Sequence, residues 1–519
     1  MRWHWGRRFT TLFLVALVSP AVLAPISDAG QPRAGGTMRF ALEGEPPTLD
    51  PQWTTATVVM TVGSHWLESL FTQGAKYEII PDLAEGYTLS SDLRVYEISL
   101  RKGVLFHNGK EMTSDDVVAS LNRWGQVATD GKNLFRNVDK VEAADKYRVR
   151  ITLQKGSAVV PAFLTWTGRA FIYPREVVDE AGTKGPVKTY IGTGPFQLVE
   201  HRPDRHIRLK RFDKYVARSD KPNGFGGKKV AYFDEILMIP VPEQAQRVTM
   251  VQTGELDFSD WISPDAYDRL KADPQITTLV VKPKEWIIGV LNKKKGIFTS
   301  KTMRQAVQAA LSMKPIMTNA VGRPEFYRLD PSIMFQESVW WTDVGKELYD
   351  QGNAEKAKRL MREAGYKGET IRWICTKEYE WMYQSAVIGA QQLKEAGFNV
   401  DLQVMDWASV VQRRTNPDAY EIFTTGQGMP ADPAQFISLT CGWPGWACFP
   451  ELDELMLKVA STPKVDDRAR IWKQVQTFFY ENAVNIKMGD FFTLRIHKNY
   501  VKGYTNMNLA FLWNTWFEK

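Results

Sequence analysis

The 519-residue sequence predicts an α/β protein built as two lobes packed together, on three observations. Residues 36–290 carry short segments of alternating apolar and polar residues bounded by turns. From about residue 298 the texture changes to helices that close on a glycine and are followed by strands. No Pro- or Ser-rich linker separates the two textures, so the lobes pack on each other and are not strung apart.

In the first lobe, "GTMRFAL", "RVYEISL", "YRVRITL" and "RHIRLKRF" alternate with period two and read as strands. The segment "YEISLRKGVLFHNGKEMTSDDVVASLNRW" (96–124) is the most tightly specified. Tyr96, Ile98 and Leu100 alternate as in a half-buried strand, and Asn108-Gly109 predicts a two-residue hairpin turn with positive φ at both positions. Thr113 is placed as an N-cap, with Asp115 and Asp116 in the first turn, where the helix dipole favours negative charge. Val117, Val118, Leu121 and Trp124 share one helical face. Further on, "IGTGPFQLV" is a Gly-rich turn leading into a strand.

The second lobe opens on "SKTMRQAVQAALSM", which puts Met303, Ala306, Val307, Ala310 and Leu311 on one face. "EKAKRLMREAG" closes at Gly365 before the strand "TIRWIC", and "SAVIGAQQLKEAG" closes at Gly397 before the strand "FNVDLQVM". Twice over, this is βαβ construction. "YEIFTT" (420–425) is a third strand, and "DDRARIWKQVQTFFYENA" is a long late helix.

The N-terminus carries Arg2, Arg7 and Arg8, then an apolar run from Phe9 to Ala24 broken by Pro20. Residues 1–29 therefore read as a cleaved secretory signal peptide. No later stretch approaches the roughly 18 apolar residues of a membrane span. None of the three cysteines precedes Cys375, so no lipid-bearing cysteine follows the signal. The expectation is an exported protein without a lipid anchor, retained in a Gram-negative periplasm, with free secretion as the alternative. Cys441 and Cys448 bracket "GWPGWA" and suit a disulfide in an oxidising compartment. Zinc is the competing reading, short of a third ligand. Cys375, in "IRWICT", reads as a buried thiol.

Charge gives little direction: 66 basic and 59 acidic residues leave +7, with no arginine-rich run, so no nucleic-acid partner is expected. Enzyme signatures are absent: no G-x-S-x-G, H-E-x-x-H, Walker A or G-x-G-x-x-G sequence occurs. Of six histidines, His201 and His206 are five apart and, read on one strand, face opposite sides; His107 abuts a turn. Neither a catalytic role nor a cofactor or metal is expected.

Binding has a positive argument. In open α/β sheets, ligands collect beyond the carboxyl ends of the strands. Strand 398–405 runs into "DWASVVQRR", presenting Asp406, Trp407, Arg413 and Arg414, and strand 420–425 runs into "GQGMPADPAQF". An indole, a guanidinium and a Gly-rich backbone suit a polar organic solute. On this evidence alone Trp407 divides evenly between pocket and core, and Arg414 leans to surface.

Gly103 with "FHNG" (106–109) and "TSDDV" (113–117) resembles the signature of the family 5 extracellular solute-binding proteins, which serve ABC importers of dipeptides, oligopeptides and nickel. "TLDP" (48–51), "GTGPF" (192–196), "TGELDF" (253–258) and "MRQAV" (303–307) follow in the family's order. The resemblance spans the mature chain and explains why the opening signature holds no catalyst: it belongs to scaffold.

What the resemblance implies is a two-lobed periplasmic binding protein fold of the large kind, with an extra N-terminal subdomain and a ligand cleft between lobes. The first lobe would be 36–295, completed by 490–519, and the second 296–489. The protein would work as a monomer, closing over a small solute and delivering it to a membrane permease and its ATPase. The cleft would be lined by Thr54, Thr55, Ala56 and Thr57 on one side, and by Trp407, Arg414, Gln427 and Met429 on the other. Met429 departs from the family. Peptide binders carry an aspartate there to pair with the ligand ammonium, and an unpaired buried ammonium is costly. Asp432 and Glu421 lie near but not at the matching position. An ordinary peptide is therefore not favoured, and a neutral, anionic or sugar-like solute gains. Clustered histidines for nickel are lacking. The alternatives are a secreted hydrolase, or a periplasmic receptor or chaperone on the same fold.

Overall fold

The computed structural model describes residues 31–518, and the expected signal peptide lies outside the described residues. An 11-stranded mixed sheet runs through both lobes. Its first-lobe part is assembled from Phe196–Arg202, His206–Arg211, Glu235–Pro240, Thr37–Leu42 and Phe258–Ile262, in that order. Its second-lobe part is Val400–Val404, Ile371–Cys375 and Ile422–Gly428. Parallel pairing of Ile371–Cys375 with both its neighbours confirms the βαβ reading of this lobe.

Two long strands join the parts. Ile276–Leu291 and Ile486–Lys498 pair antiparallel along nearly their whole length. The first-lobe end of Ile486–Lys498 meets Phe258–Ile262, and the second-lobe end of Ile276–Leu291 meets Ile422–Gly428. Register shifts fall between Val281 and Glu285 and between Ile287 and Ile288. All thirteen residues of Ile486–Lys498 are buried, so their side chains face protein on both sides, and ion pairs are buried with them: Asp490 with Arg328 and Lys487, and Arg495 with Asp260.

The extra subdomain is a four-stranded antiparallel sheet, ordered Ala84–Leu89, Val95–Leu100, Arg148–Leu153, Val138–Asp145, with the helix Ser114–Val127 across it. Tyr96, Ile98, Phe106, Val117, Leu121 and Trp124 are all in its core, as the alternation and helical spacing required. Thr113 caps the helix in a reciprocal capping box with Asp116. Asp116 does more than complement the dipole: fully buried, it also meets Lys110 at 2.7 Å and accepts from the Arg175 backbone N–H.

Two local expectations are corrected. Only Gly109 has positive φ; Asn108 does not, because Gly109 N–H donates to Phe106 O and the turn centres on His107-Asn108. The Asn108 side chain then accepts from Lys110 N–H. His201 and His206 are not on one strand but on the two arms of a hairpin, where each meets a different carboxylate, Glu45 and Glu200.

The second-lobe helices fall at Lys301–Ala310, Ala354–Glu363, Glu380–Glu395 and Val465–Glu481. Gly365 and Gly397 follow their helices with positive φ, which is why glycine is needed there. Cys441 and Cys448 are disulfide-bonded, and Cys375 is a buried free thiol. Among the described residues, no helix is long and apolar enough to cross a membrane.

Candidate functional site

A cavity of about 180 Å³ lies where the lobes face each other over the joining strands. Thr55, Thr57 and Met60 come to it from the start of the helix Thr57–Trp66, and Trp166, Thr167 and Arg169 from the extra subdomain's edge. Lys284 and Glu285 rise from the joining strand at its register shift, and Gly428 and Met429 from the end of Ile422–Gly428. Asn508 and Leu509 close it from the C-terminal segment. Antiparallel register pairs Glu285 with Gly428, and the Glu285 carboxylate lies against Gly426 on the same strand.

The expected residues divide. Thr55, Thr57 and Met429 line this cavity. Thr54 accepts from the Ala56 N–H, and Ala56 is the N-cap of the following helix, so both serve to set that helix start. Gln427 accepts a hydrogen bond from Ser438 at 3.1 Å. Trp407 and Arg414 form a separate cluster one strand away. The Arg414 guanidinium lies 5.6 Å from the Trp407 ring, and 5.7 Å from both Phe423 and Trp443. Its Nε is buried without a hydrogen-bond partner among the described residues, and burial pushes its pKa down. A guanidinium held by three ring faces is a cation–π site still able to donate to an anionic or carbonyl oxygen.

Lys284 was not anticipated. Its ammonium sits 3.9 Å from the Trp261 ring and donates to Asn508 O at 3.1 Å. Trp261 itself has a φ of 56°, a left-handed conformation that bulky residues adopt only when held there. Arg169, also unforeseen, is paired with Asp130 at 2.5 Å. Glu285, by contrast, makes no ion pair and accepts no hydrogen bond among the described residues, and burial raises its pKa. The two carboxylates named from sequence are engaged elsewhere: Asp432 with Arg468, and Glu421 with Arg372.

Trp261 also lines a second cavity of about 470 Å³, walled by Glu378, Tyr379, Trp381, Phe491 and Thr493. The Tyr379 ring contacts both Trp407 and Trp381, so an aromatic row links the Arg414 cluster to this space. Among the described residues, no group of three or more His, Cys, Asp or Glu is placed to hold a metal ion.

The family model for bacterial extracellular solute-binding proteins, family 5, matches residues 78–447. The chain belongs to that family. Among curated relatives, this solute-binding protein is 26% identical over 502 residues to a probable peptide ABC transporter periplasmic-binding protein of Sinorhizobium fredii, covering 93% of each chain. Among solved structures, the ABC transporter substrate-binding protein CtaP of Listeria monocytogenes superposes with a TM-score of 0.79 at 24% identity, over 94% of this chain and all of that one. The periplasmic binding protein DppA of Helicobacter pylori, solved with the peptide STSA, superposes at 0.78 and 21% identity, over 94% and 99%. The solute-binding protein thus shares their two-lobed fold, and its family is made up of proteins that bind solutes for ABC transporters.

Proposed function

We propose that this solute-binding protein works in a periplasm, captures a small polar organic solute in the space between its lobes, and delivers it as a monomer to an ABC permease and its ATPase. One observation carries the reading. The 180 Å³ cavity draws its walls from both lobes and from the strands that join them, so a solute there would contact every part that has to come together. On its own that volume is below the roughly 300–1,000 Å³ of small-molecule sites. The neighbouring 470 Å³ space shares Trp261 with it, and a solute reaching into both would meet Thr55 and Thr57 at one end and the aromatic row at the other. Trp407, Arg414 and Gln427 then act at the solute's far side or by supporting that wall. The S. fredii relative's peptide description supports a peptide-like solute.

Native mass spectrometry of gently purified protein, followed by calorimetry with the released compound, tests the reading. A stoichiometric small molecule whose binding is lost on filling the cavity, as in Gly428→Trp, is the expected result. Gly428 has no heavy atom within 4 Å of where its Cβ would lie and no positive φ, so the indole enters without backbone strain. Turnover of the compound by the purified protein would instead favour a hydrolase.

A further inference from the structure

We infer that Glu285 is the specificity-determining residue of the cleft: its carboxylate receives a protonated amine of the solute, the role that Met429 cannot perform. The inference rests on the cleft being the solute site, and it names the class of solute: one carrying an ammonium group, as a peptide or amino-acid conjugate does.

Placement comes first. Glu285 and Met429 line the same cavity, and the strand register sets Glu285 directly opposite Gly428. Gly426, two residues before Gly428, leaves the carboxylate its room: a Cβ there would stand 2.1 Å from the Glu285 Oε2 and 3.0 Å from the Trp381 ring. Any side chain at 426 would evict the carboxylate from this position, so the glycine and the glutamate form a matched pair.

Charge comes second. Glu285 and Glu43 are both half-buried, and neither has an ion pair or a side-chain hydrogen bond to another residue among the described residues. The cations around them are otherwise engaged. Arg495 is bound to Asp260 at 2.5 Å, and Arg247 donates to the carbonyls of Val241, Pro242 and Trp261. Lys284 alone acts on both carboxylates, and its ammonium is drawn to the Trp261 face and Asn508 O. Arg247 still acts on Glu43, whereas the charge acting on Glu285 is that of Lys284, whose ammonium is turned to the Trp261 face and Asn508 O. Glu285 is thus left as a half-buried carboxylate without a direct partner among the described residues, which is unfavourable until a cation arrives. The aromatic walls at Trp381 and Tyr379 give that cation ring faces as well.

The test uses the purified mature protein, dialysed free of solute, and peptides of two to five residues, each with a free and an N-acetylated terminus. Calorimetry is expected to find a free-amine peptide bound at least ~30-fold more tightly than its acetylated form, the loss of a charge-assisted contact. In Glu285→Gln that preference should vanish, and in Glu285→Asp it should return in part. Equal affinity for both forms, a preference that survives in Glu285→Gln, or no binding of any free-amine peptide would each overturn the inference. The cleft reading fails separately. If the solute that co-purifies lacks an amine yet is lost in Gly428→Trp, the cleft stands and Glu285's role falls. If Gly428→Trp retains it, the cleft reading itself falls.

Discussion

Arg468 and Asp432 form a buried ion pair, Nη2 to Oδ1 at 2.5 Å, with side chains only 6% and 2% exposed. Arg468 also lies 4.8 Å from the Trp340 ring, and Asp432 caps the turn Pro433–Gln435. This aspartate is architecture and not a ligand for the solute. Removing it strands a buried guanidinium, so Asp432→Ala should cost about 3–5 kcal/mol of stability. Denaturant unfolding checks this. A variant as stable as the parent would show that the pair contributes nothing.

Trp407→Ala should weaken solute binding by roughly 1–3 kcal/mol, through loss of an aromatic wall against Tyr379 and Arg414. Arg414→Ala should matter most for a solute with a carboxylate or several carbonyls, since no protein carboxylate competes for that guanidinium among the described residues. Calorimetry with the co-purified solute decides both. Unchanged affinity in both variants would remove this cluster from the site.

Thiol titration of the denatured, unreduced protein should count one free thiol, Cys375, with Cys441 and Cys448 bridged. In the folded state even that one should be silent, because burial pushes its pKa up to about 12. The bridged loop is short, so replacing both cysteines by serine should cost at most about 2–3 kcal/mol. Three titratable thiols would refute the pairing.

Acid should destabilise the fold through His65. The ring is fully buried, and burial lowers its pKa to about 4, against the opposing pull of the Thr61 carbonyl at 2.8 Å. Its folded pKa lies below the ordinary value, so its stabilising contribution is complete above about pH 6.5 and is lost as pH falls through 4. The full effect is about 3 kcal/mol. Melting temperatures from pH 7.5 to 4 should fall, and His65→Gln should flatten that fall. An unchanged slope in the variant would exclude His65 as a cause.

Much of the scaffold was legible because its signals are local. The capping box at Thr113, the alternation at Tyr96, Ile98 and Leu100, and the glycines at 365 and 397 each act within a few residues of themselves. The site was less so. Met429 was visible as an anomaly, but Glu285, which lines the same cavity, lies 144 positions earlier in the chain and is brought to this strand only by sheet register. In "VVKPKEWIIGVL", Lys284 and Glu285 look like the solvated charges of a strand edge. The register shift between Val281 and Glu285 turns them into the cleft instead. Trp407 and Arg414 were found from the strand ends, yet their contact with Tyr379 and Trp443 depends on loops that no periodicity reveals.

The joining strands have a mechanical consequence. Because Ile276–Leu291 and Ile486–Lys498 are laddered to each other through both lobes, relative rotation of the lobes has to be absorbed as twist and bend in a paired ribbon, not as free swivelling of a tether. Such a ribbon behaves as a leaf spring, and it yields most where its ladder is interrupted. One of its two interruptions runs up to Glu285, inside the cleft. A contact made there sits almost on the axis of rotation, where it moves little whatever the lobes do; contacts at the rim, such as those from Thr55 and Thr57, travel far. The fulcrum can therefore hold a solute in the open state, and only the rim can tell whether the jaws have shut.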